Sequence, residues 1–102
     1  MAENLTGGLA PVHPGAFLRE IVLPDVAMSK TDIAKALGIS RAQLYLLLDE
    51  KAPVTAAMAL RLGQFFRNGP ELWLNMQSAY DLAVLKGEMA DELAAIAPLP
   101  AA

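Results

Sequence analysis

The chain has no cysteine and a single histidine among its 102 residues. The first absence excludes disulfides and thiolate metal sites, and the second leaves no imidazole cluster for zinc and no His–His relay. Basic residues are also scarce: eight Lys and Arg face eleven Asp and Glu, a formal net charge of −3. Indiscriminate nucleic-acid binding, which relies on clustered cations against phosphate, does not fit that balance. Long apolar runs are missing as well. No stretch approaches the roughly 18 consecutive apolar residues of a membrane-spanning helix, and the opening residues show neither the basic start nor the apolar core of a signal peptide, so the expectation is a cytoplasmic protein with no membrane partner. Gly-rich phosphate loops, nucleophile elbows and metal-ligand spacings are absent too, so neither an enzyme nor a bound cofactor or metal is expected.

What is present is apolar: 55% of the residues are hydrophobic against 19% charged. A chain of this length buries one modest core, and the surplus of apolar surface points to a second copy or a partner. Charge is also unevenly distributed. Residues 28–70 hold six basic residues and three acidic ones, a net of +3, whereas residues 71–102 hold Lys86 against Glu71, Asp81, Glu88, Asp91 and Glu92, a net of −4.

Along the chain, residues 1–12 contain "TGGLAP" and read as a mobile arm. His13 then stands at an N-cap position before Pro14, and Phe17, Leu18, Ile21 and Val22 give a short amphipathic helix stopped before Pro24. For His13, a capping role is favoured over catalysis, since no nucleophile accompanies it. Ser29 followed by Asp32 opens a helix over 30–37 that Gly38 closes, and Ser40 with Gln43 opens another from Arg41 to about Asp49. Thr55 caps a fourth helix carrying Met58, Leu62, Phe65 and Phe66 for burial. Pro70 opens a fifth and longest helix, over 70–86, with the apolar stripe Leu72, Trp73, Met76, Tyr80 and Val84. A short sixth helix fits "GEMADELAAIA" in the tail, 87–102, where the carboxylates of 88–92 read as a solvated face. Without any alternating β-branched pattern, the fold is expected to be all-α.

The segment 30–49 is the informative one. Two helices joined through a tight glycine turn form either an ordinary αα-corner or the helix-turn-helix that sets its second helix in the DNA major groove. The second reading requires a small residue at the crossing, glycine in the turn and apolar anchors behind; Ala34, Gly38, Leu44 and Leu47 supply them in order.

From "HPGAFLREIVL" through "TAAMALRLGQFF" to "ELWLNMQSAYDL", about residues 13–86, the chain closely resembles the HigA-type antitoxins. These are lambda-repressor-like (XRE) helix-turn-helix proteins of bacterial toxin–antitoxin operons. The resemblance implies a five-helix domain, usually dimeric. It would bind a palindromic operator in its own promoter as an autorepressor and neutralise HigB, a RelE-like mRNA endonuclease. Carried over residue by residue, Ser29, Lys30 and Lys51 are expected at phosphates, and Arg41, Ala42, Gln43 and Tyr45 face the groove; Thr31, Ser40 and Leu46 complete the expected DNA-binding set. Arg41 suits a guanine or a phosphate, and Gln43 an adenine or a phosphate. Trp73, Met76 and Tyr80 are the expected dimer seam.

Two departures from the family pattern stand in the third helix. Many members end it with "NGK", where this chain has "DEK"; Asp49 and Glu50 put negative charge near the expected phosphates and should weaken operator binding or make it dimer-dependent. Leu46 replaces a polar residue, and on a helical wheel it points away from the anchors Leu44, Leu47 and Leu48, either toward thymine methyl groups or simply exposed or covered by a partner. The other functional readings are a protein-binding module that has lost DNA binding and a stand-alone regulator without a toxin.

Overall fold

A computed structural model describes residues 10–101, so most of the expected N-terminal arm, residues 1–9, lies outside the described residues. The described residues are all helical or irregular, with no strand among them. Helix α1 (Pro14–Phe17) starts where the ring Nδ1 of His13 accepts the Gly15 N–H at 2.9 Å, with Pro14 in the first turn. Only this opening turn is regular α-helix. Pro24 has no N–H to offer the carbonyl four residues back, and ahead of it the chain widens into a π-helical turn, Leu18–Val22, then tightens into a 3₁₀ turn, Leu23–Asp25.

Helix α2 (Lys30–Leu37) is capped by the Ser29 hydroxyl, which accepts the Asp32 N–H, and closes at Gly38, whose φ of 75° is a left-handed conformation that glycine adopts without strain. Helix α3 (Arg41–Leu48) opens on a full capping box: the Ser40 hydroxyl accepts from the Gln43 N–H, and the Gln43 side chain accepts from the Ser40 N–H. Helix α4 (Ala56–Phe66) is capped by Thr55 and ends at Arg67, which takes a left-handed φ of 60° without being glycine. Helix α5 (Pro70–Glu88) runs 19 residues, past the expected end at 86, and after a break at Met89 the short α6 (Ala90–Ala94) follows.

The core lies where α1 to α4 meet the first half of α5. Leu18, Ile33, Leu37, Leu44, Leu47, Leu62 and Trp73 are its large buried members, each aliphatic side chain contributing about 2 kcal/mol by leaving water. Met58, Phe65 and Phe66 pack at its margin, only partly buried. Two polar residues are buried among the described residues, His13 at the start of α1 and Gln77 on α5. Gln77 is 6% exposed, its Oε1 accepting the Val54 N–H at 2.7 Å and its Nε2 donating to Asp81 at 2.9 Å. Beyond it the character of the chain changes. From Asp81 to Ala101 every residue but Met89 is exposed. The molecule is accordingly long, 55 × 33 × 24 Å with a radius of gyration of 17.0 Å, against about 13 Å for a compact chain of this size. No helix among the described residues is long and apolar enough to cross a membrane.

Candidate nucleic-acid interface

Helices α2 and α3 present their N-terminal ends together. The Arg41 guanidinium at the start of α3 donates to the Thr31 hydroxyl at the start of α2 over 3.2 Å, tying the two helix mouths into one surface. Helix N-termini carry partial positive charge and unpaired N–H groups, which suit phosphate. Ser29, Lys30, Thr31, Ser40, Arg41, Ala42, Gln43, Tyr45, Leu46 and Lys51 are all exposed. The hydroxyls of Ser29 and Ser40 accept backbone N–H groups as caps, which leaves the O–H of each able to donate outward. Gln43 gives one oxygen lone pair to the Ser40 N–H, and its Nε2 has no protein partner among the described residues. Arg41 and Gln43 thus bring donors to the leading edge of α3, and Tyr45 and Leu46 bring half-exposed apolar surface, 44% and 46% accessible. Leu44, Leu47 and Leu48 point into the core, so the leucine run divides between anchor and surface.

The far end of α3 is held by residues distant in sequence. Gly15 sits so close beneath it that a Cβ there would overlap the Leu47 carbonyl oxygen. Arg19 donates to the Leu48 carbonyl at 2.6 Å and to the Glu50 carboxylate at 3.2 Å, while its Nε pairs with Glu20 at 2.9 Å. Glu50, in a left-handed conformation with φ 61°, is thereby drawn to Arg19. Of the acidic pair in "DEK", Glu50 thus shares one guanidinium with Glu20, and Asp49 stands exposed without an ion pair among the described residues. A parallel clamp stands at the end of α2, where Arg61 donates to the carbonyls of Leu37 at 2.8 Å and Gly38 at 3.3 Å. Arg19, Arg61 and Gln77 carry no local motif, and sequence reasoning passed over them as ordinary polar positions.

His13 is 4% exposed and meets Tyr80 edge to face, ring centroids 5.0 Å apart. Burial pushes its pKa below the ordinary 6.5, partly opposed by the charges of Glu50 and Asp81 and reinforced by Arg19. The neutral ring is the form that accepts from Gly15.

The expected dimer seam is not one surface. Trp73 is fully buried in this chain, bonded through Nε1 to Asn68 at 3.0 Å and flanked by Phe17 and Phe66; it has no area to offer a second copy, because its spacing on α5 serves the internal core. Tyr80 is partly buried against His13. Met76 lines a shallow apolar groove of about 340 Å³ with Pro11, Val12, Leu72 and Ala79.

No sequence-family model matches the chain. Virulence-associated protein I of Dichelobacter nodosus is 42% identical over 71 residues, 70% of this chain and 66% of that protein, just under two thirds of its length. Antitoxin HigA-1 of Vibrio cholerae is 30% identical over 89 residues, covering 87% of this chain and 84% of that protein. Among solved structures, antitoxin GraA in complex with its operator superposes with a TM-score of 0.83 at 36% identity, over 91% of this chain and 95% of that one.

Proposed function

The chain belongs to the HigA family of helix-turn-helix antitoxins and regulators, and from that premise we propose that it is a dimeric, cytoplasmic antitoxin that represses its own operon and neutralises a RelE-like mRNA-endonuclease toxin. The observation that carries the DNA half of this reading is the pair of helix mouths joined by Arg41 and Thr31, on a fold shared with an antitoxin bound to its operator. Two copies would place their α3 helices about 34 Å apart, one DNA turn, on a palindromic site. Ser29, Lys30 and Lys51 position the protein on phosphates; Arg41 and Gln43 address base edges or adjacent phosphates; Tyr45 and Leu46 supply apolar contact, Leu46 to thymine methyl groups. No bond is made or broken: repression is occlusion of the promoter, and neutralisation is occlusion of the toxin.

The test is binding to the DNA upstream of its own operon against a scrambled competitor across a salt series. Sequence preference is expected to persist as salt rises while total affinity falls, and Arg41→Ala is expected to lower that preference roughly tenfold. Absence of preference at every salt concentration defeats the DNA half. Leu46→Ala, profiled base by base, is expected to lose discrimination at thymine positions only, and an unchanged profile would leave Leu46 as surface. Co-purification with the product of the neighbouring reading frame, a small basic RelE-like protein, tests the toxin half.

A further inference from the structure

We infer that Gln43 and Leu46 act together as the reader of one thymine edge in the operator, an inference that rests on the DNA half of the reading above. By residue type alone Gln43 could take adenine, which needs the amide oxygen and the amide nitrogen aimed together at one base. The capping box removes that choice. The Ser40 N–H meets the Gln43 amide at 2.9 Å, and because a backbone N–H can only donate, the atom facing it is Oε1. The same turn is closed from the other side by the Gln43 N–H on the Ser40 hydroxyl at 3.0 Å. The amide oxygen is thus held back against the start of its own helix, and Nε2 is left on an exposed side chain without a protein partner among the described residues. Toward DNA, Gln43 is a donor only, and it suits a base that offers an acceptor.

Leu46 narrows the choice of base. It stands three residues further on, where side chains of a helix are neighbours, and with Gln43, Pro53 and Met58 it walls a recess of about 300 Å³. Leu46 is 46% exposed there, an apolar wall beside an amide donor. In the major groove, guanine presents two acceptors and no methyl group, adenine an acceptor beside an amino donor, and cytosine a donor. Thymine alone sets an acceptor, O4, next to a methyl group. The amide N–H meets the first and the leucine the second. A phosphate would take the donor but leave Leu46 facing water.

The test measures binding of the full chain to the DNA upstream of its own operon, with each protected thymine replaced in turn. Uracil deletes only the methyl group, and at the position read by this pair it is expected to weaken binding about fourfold, the worth of one buried methyl-sized group. C5-methylcytosine, paired with guanine, keeps the methyl group but turns the acceptor into an amino donor, and is expected to weaken binding about tenfold. Gln43→Glu still closes the capping box, so its melting curve should match wild type, while its outward atom becomes an acceptor. This variant is expected to reverse the order at that position, favouring C5-methylcytosine over thymine. Leu46→Ala is expected to abolish the penalty for uracil and to keep the penalty for C5-methylcytosine. Indifference of every thymine to both replacements overturns the proposal. So does a loss in Gln43→Glu that is equal for every base, which assigns the amide to a phosphate. A wild-type chain with no sequence preference at any salt concentration defeats the DNA reading itself, a result distinct from a chain that prefers its operator and ignores these replacements.

Discussion

The two ends of α3 are secured in opposite ways. At its start, the contacts are local: Ser40 and Gln43 close a capping box across three residues, and Arg41 reaches back ten residues to Thr31. At its finish, they come from the far side of the sequence: Gly15 lies under the Leu47 carbonyl, and Arg19 donates to Leu48 from 29 residues away. The start is exposed, while the finish is pressed against α1. A helix meant to enter a groove needs one free end, and the fold anchors the other.

The sharpest way to break that asymmetry is Gly15→Ala. The added methyl would push α1 off the end of α3, and overpacking against backbone is expected to cost about 3 kcal/mol, read as a lowered denaturation midpoint; an unchanged midpoint would mean that α1 is free to shift. Ser40→Ala acts at the other end. It removes one cap bond from a solvent-facing turn and is expected to cost about 1 kcal/mol, so a loss matching that of Gly15→Ala would erase the distinction between the two ends. The smallest effect is expected from acid. The folded protein holds His13 below its ordinary pKa of 6.5, so the unfolded chain binds the proton more readily; the stabilisation from the neutral ring is complete above 6.5 and is lost as pH falls below 6.5 through the folded value. Thermal melts of wild type and His13→Asn across that range check it: wild type should lose stability faster on acidification, and parallel curves would remove His13 from the account.

The same contrast marks what could be read from the amino-acid order. The starts of α1 to α5 were legible, since His13, Ser29, Ser40 and Thr55 accept from N–H groups within three residues of themselves and Pro70 fits a first turn that needs no N–H. Helix α6 has no side-chain cap to mark its start. The division of the leucine run was legible too, since helical periodicity alone separates Leu44, Leu47 and Leu48 from Leu46. The clamps were not legible. Arg19 and Arg61 bond carbonyls 29 and 24 residues away, and no local pattern announces a partner at that distance. Trp73 shows the complementary failure: periodicity marks it as facing something apolar, but the spacing is the same whether that surface belongs to this chain or to another. Its complete burial assigns it to the core and moves the search for a seam outward.

Gln77 gives that outward face its direction. Its Oε1 accepts the Val54 N–H from outside the helix, while its Nε2 donates to Asp81 one turn along α5 itself. The first bond works like a key in a shaft and resists turning of α5 about its own long axis, and the second holds the amide in the orientation that makes it. The rest of the helix inherits that setting. Leu82 and Leu85 lie one and two turns further along a rigid rod, so their bearing is fixed by a residue that touches neither of them. Adding one residue between 81 and 82 would swing both leucines through about 100° while leaving the core and the contact of Tyr80 with His13 as they were.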